Sequence, residues 1–247
     1  LGVNFYDTDN LYGYGHSESL IGEVFRDVRA EVIIATKGGR LDFISGQDFT
    51  VQHLRGSLEA SLKRLGTDYV DLFQLHSPPI KLLRDQPSIL PFLQSLQREG
   101  KVRAFGISVR SPADGLAAVS EYGFKAIQVN LNLADQRALD NGLLDLCEKE
   151  SAGVIVRTPL CFGFLTGAHS PGEKFEPGDH RSSWPSEQIE RWARTAKVFA
   201  PCFLNGQGAT PTQSALRFCL SYPGVSTVIP GMLTPRQVEE NVLASRM

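Results

Sequence analysis

Apolar positions along the chain follow two alternating rhythms. Short β-branched and aromatic runs read as strands at Val3–Asp7, Val32–Ala35, Tyr69–Leu75, Arg103–Ser108, Ala126–Leu131, Gly153–Arg157 and Thr227–Ile229. Between them, apolar residues fall at helical spacing. Leu20, Ile21, Val24 and Phe25 do so within 17–26, and Leu54, Leu58, Leu62 and Leu65 within 51–65. Further helices are expected at 89–99, closed by Gly100, and at 112–122, 141–150, 187–199, 212–220 and 235–244. The stretch from about Cys161 to Ser186, rich in Gly, Pro and charge, has no period and reads as a long loop.

Strict alternation of strand and helix implies a parallel sheet covered by helices. The expected fold is α/β: a single domain over residues 1–247, a (β/α)8 TIM barrel with parallel strands. Seven strands are legible where a closed barrel takes eight, and the first of them lies at the very start of the chain. The first β/α unit is therefore expected to be missing from this chain. An open, doubly wound sheet would advertise G-x-G-x-x-G after its first strand, and Gly13-Tyr14-Gly15 lacks the third glycine.

Composition narrows the function classes. With 247 residues and a net charge of −2, nothing favours nucleic acid or an acidic membrane surface. No apolar run approaches the roughly 20 residues of a spanning helix, and no signal-peptide pattern opens the chain. Cys147, Cys161, Cys202 and Cys219 are widely spaced, which argues for buried, inert thiols in a reducing cytoplasm rather than a zinc site or a disulfide framework. Oligomeric state is not written in these patterns.

In a parallel barrel, chemistry collects at the C-terminal ends of the strands. Those ends supply Asp7, with Tyr12 just beyond, then Lys37, His76, Ser108, Gln128 and Arg157. Four of these suit carbonyl reduction, which needs a hydride on carbon and a proton on oxygen. A phenol, Tyr12, can give the proton. The Lys37 ammonium is expected to lower its pKa from about 10. Asp7 would hold Lys37 charged, and His76 would polarise the substrate oxygen. A metal-assisted hydrolase would need His or carboxylate pairs on neighbouring strand ends. His53, His169 and His180 do not fall there, and His16 precedes a helix for which Ser17 is the expected cap.

The segments NFYDTDNLYGYGHSE, VIIATK, LGTDYVDLFQLHSP, GKVRAFGIS and VSTVIPG, in that order, resemble the signature stretches of the aldo-keto reductase superfamily. The resemblance implies NADPH-dependent reduction of an aldehyde or ketone, with NADH as the alternative cofactor, a small-molecule carbonyl substrate and no metal. It assigns Tyr12 as general acid, Lys37 and Asp7 as its tuning pair, and His76 as the carbonyl-orienting group. Potassium-channel β subunits share the fold and lack that histidine, so His76 argues against the rival reading of a cofactor-binding regulatory subunit. The resemblance further assigns Ser108 and Gln128 to the nicotinamide carboxamide. Thr158, Pro159, Leu160, Gly163 and Leu165 go to a pyrophosphate loop of backbone N–H groups, and Gly231, Gln237, Glu240 and Asn241 to the adenosine.

Three positions depart from the family pattern. Arg157 stands where an aromatic ring usually stacks on the nicotinamide. A guanidinium plane can stack too, and would favour the neutral reduced ring over the cationic oxidised one. Leu233 replaces a polar residue after IPG, leaving Thr234 or Arg236 to meet a 2′-phosphate. Ala168 replaces a basic residue, so Lys174 or Arg181 is expected to reach the phosphates from a loop that folds over the cofactor. Phe43, Phe49, Phe162, Phe164 and Trp184 are candidates for an apolar substrate pocket.

Overall fold

The computed structural model describes residues 1–44, 46–203 and 209–246. Seven strands are present among them: β1 (Phe5–Asp7), β2 (Ile33–Gly38), β3 (Val70–His76), β4 (Val102–Ser108), β5 (Ala126–Asn130), β6 (Gly153–Arg157) and β7 (Val225–Ile229). Each pairs in parallel with its neighbours in sequence, giving one sheet in the order β1 to β7. The two edges, β1 and β7, approach each other without forming a ladder, so the barrel is nearly closed.

Helices α1 (His16–Val24), α2 (Val51–Leu65), α3 (Lys81–Asp85), α4 (Ile89–Arg98), α5 (Pro112–Ser120), α6 (Arg137–Asp140) and α7 (Leu143–Lys149) follow the strands. After β6 come α8 (Ser186–Ala193), α9 (Thr195–Phe199) and α10 (Pro211–Leu220), and α11 (Pro235–Leu243) follows β7. The one-turn helices α3 and α6 escaped the sequence pattern because they are too short to show a period. The helix expected at 187–199 is two, α8 and α9, joined at Arg194. Among the described residues no helix is long and apolar enough to cross a membrane.

The period of two along the strands divides the core. Ile34, Phe73, Ile107, Ile127, Val154 and Val156 point outward and pack with Leu54, Leu58, Leu93 and Leu96 of the helices. Ala35, Leu72 and Ile155 point inward with Phe5, Ala126 and Ile229 and plug the barrel interior. Above that plug, toward the C-terminal ends, the inward positions become polar, and the candidate site begins.

Caps account for several helix starts. Thr50 and Ser111 each accept a backbone N–H, from His53 and Asp114, and Thr210 with Gln213 forms a capping box. Helix α1 differs from expectation. It begins at His16 after a left-handed Gly15 with no side-chain cap, and the Ser17 hydroxyl instead accepts from Thr8 at 2.8 Å. It buries Glu18 and Gly22 and leaves Leu20 and Val24 exposed. Glu18 accounts for the inversion: its carboxylate accepts the Thr36 hydroxyl at 2.6 Å and pairs with Arg64 at 2.6 Å. Gly22 permits the close approach, since a Cβ there would lie 2.5 Å from the Leu65 carbonyl oxygen.

Cys147, Cys161 and Cys219 are buried free thiols, pushed up by desolvation to about 11, 12 and 12, which agrees with inert packing groups. The side chain of Cys202 lies outside the described residues.

Candidate active site

Strand register gathers the inward polar residues into one layer. Lys37 lies beside Gln74, His76 beside Ser108, and Ser108 beside Gln128. Lys37 is 1% exposed. Its Nζ donates to Asp7 Oδ2 at 2.5 Å and to the Thr8 carbonyl at 2.8 Å, and lies 5.2 Å from the centroid of the Tyr12 ring. Asp7 Oδ1 accepts from Gln74 Nε2 at 3.0 Å and Gln128 Nε2 at 2.8 Å. Burial works against the Lys37 ammonium, but Asp7, supported by Tyr12 and Asp9, outweighs it and holds the pKa above its ordinary value.

Tyr12 behaves differently from the expectation that Lys37 would acidify it. Desolvation in the cavity wall is the larger effect and raises the phenol. Lys37 pulls it down, Asp7 and Asp9 push it up again, and the net direction is upward. Tyr12 is therefore a neutral phenol at physiological pH, with an ammonium in place to meet the phenolate as it forms. Phe43 stacks beside it, ring centroids 6.3 Å apart and planes within 11°.

His76 Nδ1 lies 2.7 Å from Asp9 Oδ2, though the alignment falls outside hydrogen-bond geometry and both atoms lack a hydrogen-bond partner. Asp9 is fully buried, with its other oxygen accepting the Leu11 N–H at 2.7 Å. Sequence reading missed Asp9 and Gln74. The second carboxylate of Asp7-Thr8-Asp9, and a glutamine alternating with Leu72 and His76 in an apolar strand, were the available signals.

Tyr12, His76, Ser108, Gln128 and Arg157 line one cavity of about 800 Å³, joined by Phe43, Arg40 and Arg110. Arg40 owes its position to a sharp turn at Gly39, where φ is +101° and a Cβ would lie 2.1 Å from the Phe49 ring. Phe49 is thus core rather than pocket lining, at 3% exposure. Phe162, Phe164 and Trp184 do not line the cavity either. They pack on Phe175, Trp192, Ile189 and Ala193 in a separate aromatic cluster that gives the loop its own small core. Phe43 is the one expected aromatic that reaches the cavity.

The expected cofactor residues divide. Ser108 is buried beside Ser77, with their hydroxyls 3.4 Å apart. Gln128 commits its amide N–H groups to Asp7 and Gln74. Arg157 donates Nη2 to the Val109 carbonyl at 3.2 Å and leaves Nε buried without a partner. Desolvation lowers its pKa. Beyond β6 the backbone turns left-handed at Thr158, Cys161, Phe162 and Gly163. Thr158 is held there by Asn130 and Asn132. The Gly163 and Leu165 N–H groups, expected to face phosphates, both donate to the Leu160 carbonyl, because the left-handed residues fold the loop back on itself. Arg181 is likewise engaged: its guanidinium pairs with Asp179 at 2.6 Å and donates to the Phe162 carbonyl at 3.0 Å. That pairing holds Asp179 down at about 2. Lys174 forms no ion pair among the described residues.

Near the chain's C-terminal end, Thr234 caps α11 by accepting the Gln237 N–H, and Gln237 Oε1 accepts from Leu233 N–H. Glu240 gives its carbonyl to Gln213. Gly231 and Asn241 line a second cavity, about 650 Å³, which also reaches Asp7 and Tyr12, and the Asn241 side-chain nitrogen there is buried without a partner. Arg236 is exposed at the start of α11.

The family model for the aldo/keto reductase family matches residues 1–247. The chain belongs to this family. It is an NAD(P)H-dependent oxidoreductase with the aldo-keto reductase barrel. Similar proteins include L-galactose dehydrogenase of Arabidopsis thaliana, 33% identical, spanning 99% of this chain and 74% of that protein. Others are aldo-keto reductase yakc [NADP(+)] of Schizosaccharomyces pombe (29%, 98% and 73%) and the NADH-specific methylglyoxal reductase of Escherichia coli (30%, 98% and 78%). The solved structure of an aldo-keto reductase from Bacillus halodurans in its holo form superposes with a TM-score of 0.80 at 25% identity, over 100% of this chain and 78% of that one.

Proposed function

We propose that this aldo-keto reductase reduces an aldehyde or ketone to an alcohol with NADPH, using Tyr12 as general acid. The observation that carries the proposal is the buried Lys37, fixed by Asp7 and Thr8 and set beside the Tyr12 ring on the wall of a cavity shared with His76. A lysine so desolvated needs a reason, and a developing phenolate supplies one.

The residues present fit a dinucleotide. Two cavities meet at Tyr12. One holds Ser108, Gln128 and the unpartnered Arg157 Nε, the other the unpartnered Asn241 amide. When bound, a reduced nicotinamide supplies the hydride. Tyr12 holds the proton destined for the carbonyl oxygen, and its raised pKa keeps that proton in place at neutral pH. Lys37 stabilises the phenolate left behind, Asp7 fixes Lys37, and His76 offers its outer ring nitrogen to the same oxygen. Ser108 and Gln128 would hold the carboxamide, the latter through its amide oxygen. Thr158, Pro159, Leu160, Gly163 and Leu165 would cradle the pyrophosphate after their loop opens. Gly231, Gln237, Glu240 and Asn241 would take the adenosine. Arg236 would meet the 2′-phosphate at the positive end of α11, which favours NADPH over NADH. Arg181 serves as the clip of this loop.

Turnover of 4-nitrobenzaldehyde, followed as NADPH loss, tests the proposal. Tyr12→Phe is expected to lower kcat by on the order of 10²-fold or more while cofactor affinity holds. The wild-type kcat should stay flat through neutral pH and fall only as pH passes above about 10, because the acid works protonated and its pKa is raised. Near-normal kcat in Tyr12→Phe would refute the assignment.

A further inference from the structure

We infer that the cavity beside Tyr12 and His76 selects carbonyl compounds that carry an anionic group, a carboxylate or phosphate, remote from the carbonyl. The inference rests on the reductase reading above and deepens it. Besides Arg157, which the reading above gives to the cofactor, two guanidiniums line the cavity, Arg40 and Arg110, and no Asp or Glu is among its lining residues. The topology explains the arrangement. Arg40 follows β2, His76 ends β3 and Arg110 follows β4, and these three strands are neighbours. Two guanidiniums therefore flank the imidazole that would meet the carbonyl oxygen.

Both flanking side chains are held at the stem. Arg110 Nε donates to the Ser77 carbonyl at 2.8 Å, and Arg40 Nε donates to the Asp42 carbonyl at 3.1 Å. Their terminal nitrogens form no hydrogen bond or ion pair among the described residues, so each presents a free pair of donors of the geometry that carboxylates and phosphates accept. The nearby carboxylates are engaged elsewhere. Asp7 holds Lys37, Asp9 faces His76, and Asp135 takes a bidentate bond from Arg137. The Asp42 carboxylate accepts the backbone N–H groups of Ile44 and Gly46. The cavity is left with positive charge that nothing within it neutralises. A neutral carbonyl substrate would leave these groups unused, whereas an anion would complete them.

The test compares 4-carboxybenzaldehyde and 4-formylphenyl phosphate with the neutral methyl 4-formylbenzoate, each as kcat/KM with saturating NADPH. Wild type is expected to prefer at least one anionic aldehyde over the ester by roughly tenfold or more, the size of one charge-assisted hydrogen bond, with the preference shrinking as salt rises. Which anion gains more identifies the group. In Arg110→Gln and in Arg40→Gln, the anion-to-ester ratio measured on the same protein should fall toward one, and Arg110→Lys should recover part of it. Equal kcat/KM for all three aldehydes in wild type overturns the inference and leaves the reductase reading standing. No turnover of any of them overturns the reductase reading. Thermal stabilisation by 4-(hydroxymethyl)benzoate but not by its methyl ester would then still support the anion site, and no stabilisation would remove that as well.

Discussion

The two halves of the barrel rim are built differently. On the β1–β3 side the ammonium and its carboxylate are fixed by buried partners, Lys37 by Asp7 and Thr8, and Asp7 by Gln74 and Gln128, and His76 faces the buried Asp9 at 2.7 Å. On the β6–β7 side the backbone runs through successive left-handed residues, donors bond within their own loop, and Arg157 Nε and Asn241 Nδ2 are left without partners. The first half is organised before any ligand arrives. The second keeps backbone strain, of about 1–3 kcal/mol per left-handed non-glycine residue, and unpaired polar atoms whose cost a ligand can offset. On the proposed function this sets a rigid proton-delivery side against an adaptable cofactor side, an arrangement that suits proton transfer, which tolerates little misplacement, and a dinucleotide, which brings many contacts to order its own cradle.

The comparison breaks most readily at Lys37. Lys37→Met leaves Asp7 as an unpaired buried carboxylate and should destabilise the protein by about 3–5 kcal/mol in urea unfolding, and adding Asp7→Asn should return much of that loss. An unchanged unfolding midpoint would mean that the pair is not as preorganised as its burial implies. A smaller effect is expected at Asp9→Asn. Removing the charge beside His76 should lower kcat about tenfold with little change in cofactor affinity, the size of one charge-assisted contact. Equal losses in kcat and cofactor binding would instead make Asp9 a general structural support. The smallest effect belongs to the adaptable side. In Arg157→Tyr the affinity ratio of reduced to oxidised cofactor should fall a few-fold, in keeping with about 0.5–1 kcal/mol for a cation against a ring. A constant ratio would remove Arg157 from the ring-stacking role.

The rigid side was also the legible one. Asp7, Lys37, His76, Ser108 and Gln128 can be placed on the rim from sequence because strand ends in a parallel barrel point to one rim, and the period of two specifies which residues face inward. Asp9 and Gln74 escaped because their importance lies in pairing across strands, which no single segment displays. The direction of the Tyr12 shift is hidden for a related reason: proximity to Lys37 is readable from strand order, but the desolvation that outweighs it depends on the cavity wall. The loop after β6 reads as irregular in the sequence, yet its aromatic core and the engagement of Arg181 by Asp179 emerge only in the folded chain. The Arg40 and Arg110 guanidiniums drew no notice in the sequence because they lie two residues past the strand ends, where solvated arginines are ordinary.

The β2 strand carries one last consequence. Thr36 and Lys37 point to opposite sides of the sheet, one toward Glu18 and the other toward Asp7. Sliding β2 by one residue would exchange them, thrusting an ammonium into the helix layer and a short hydroxyl into the space where a long cation belongs. The two carboxylates, Glu18 and Asp7, thereby act as a key that admits a single alignment of this strand. Replacing either with an apolar residue would loosen that lock as the chain folds, well before any substrate is met.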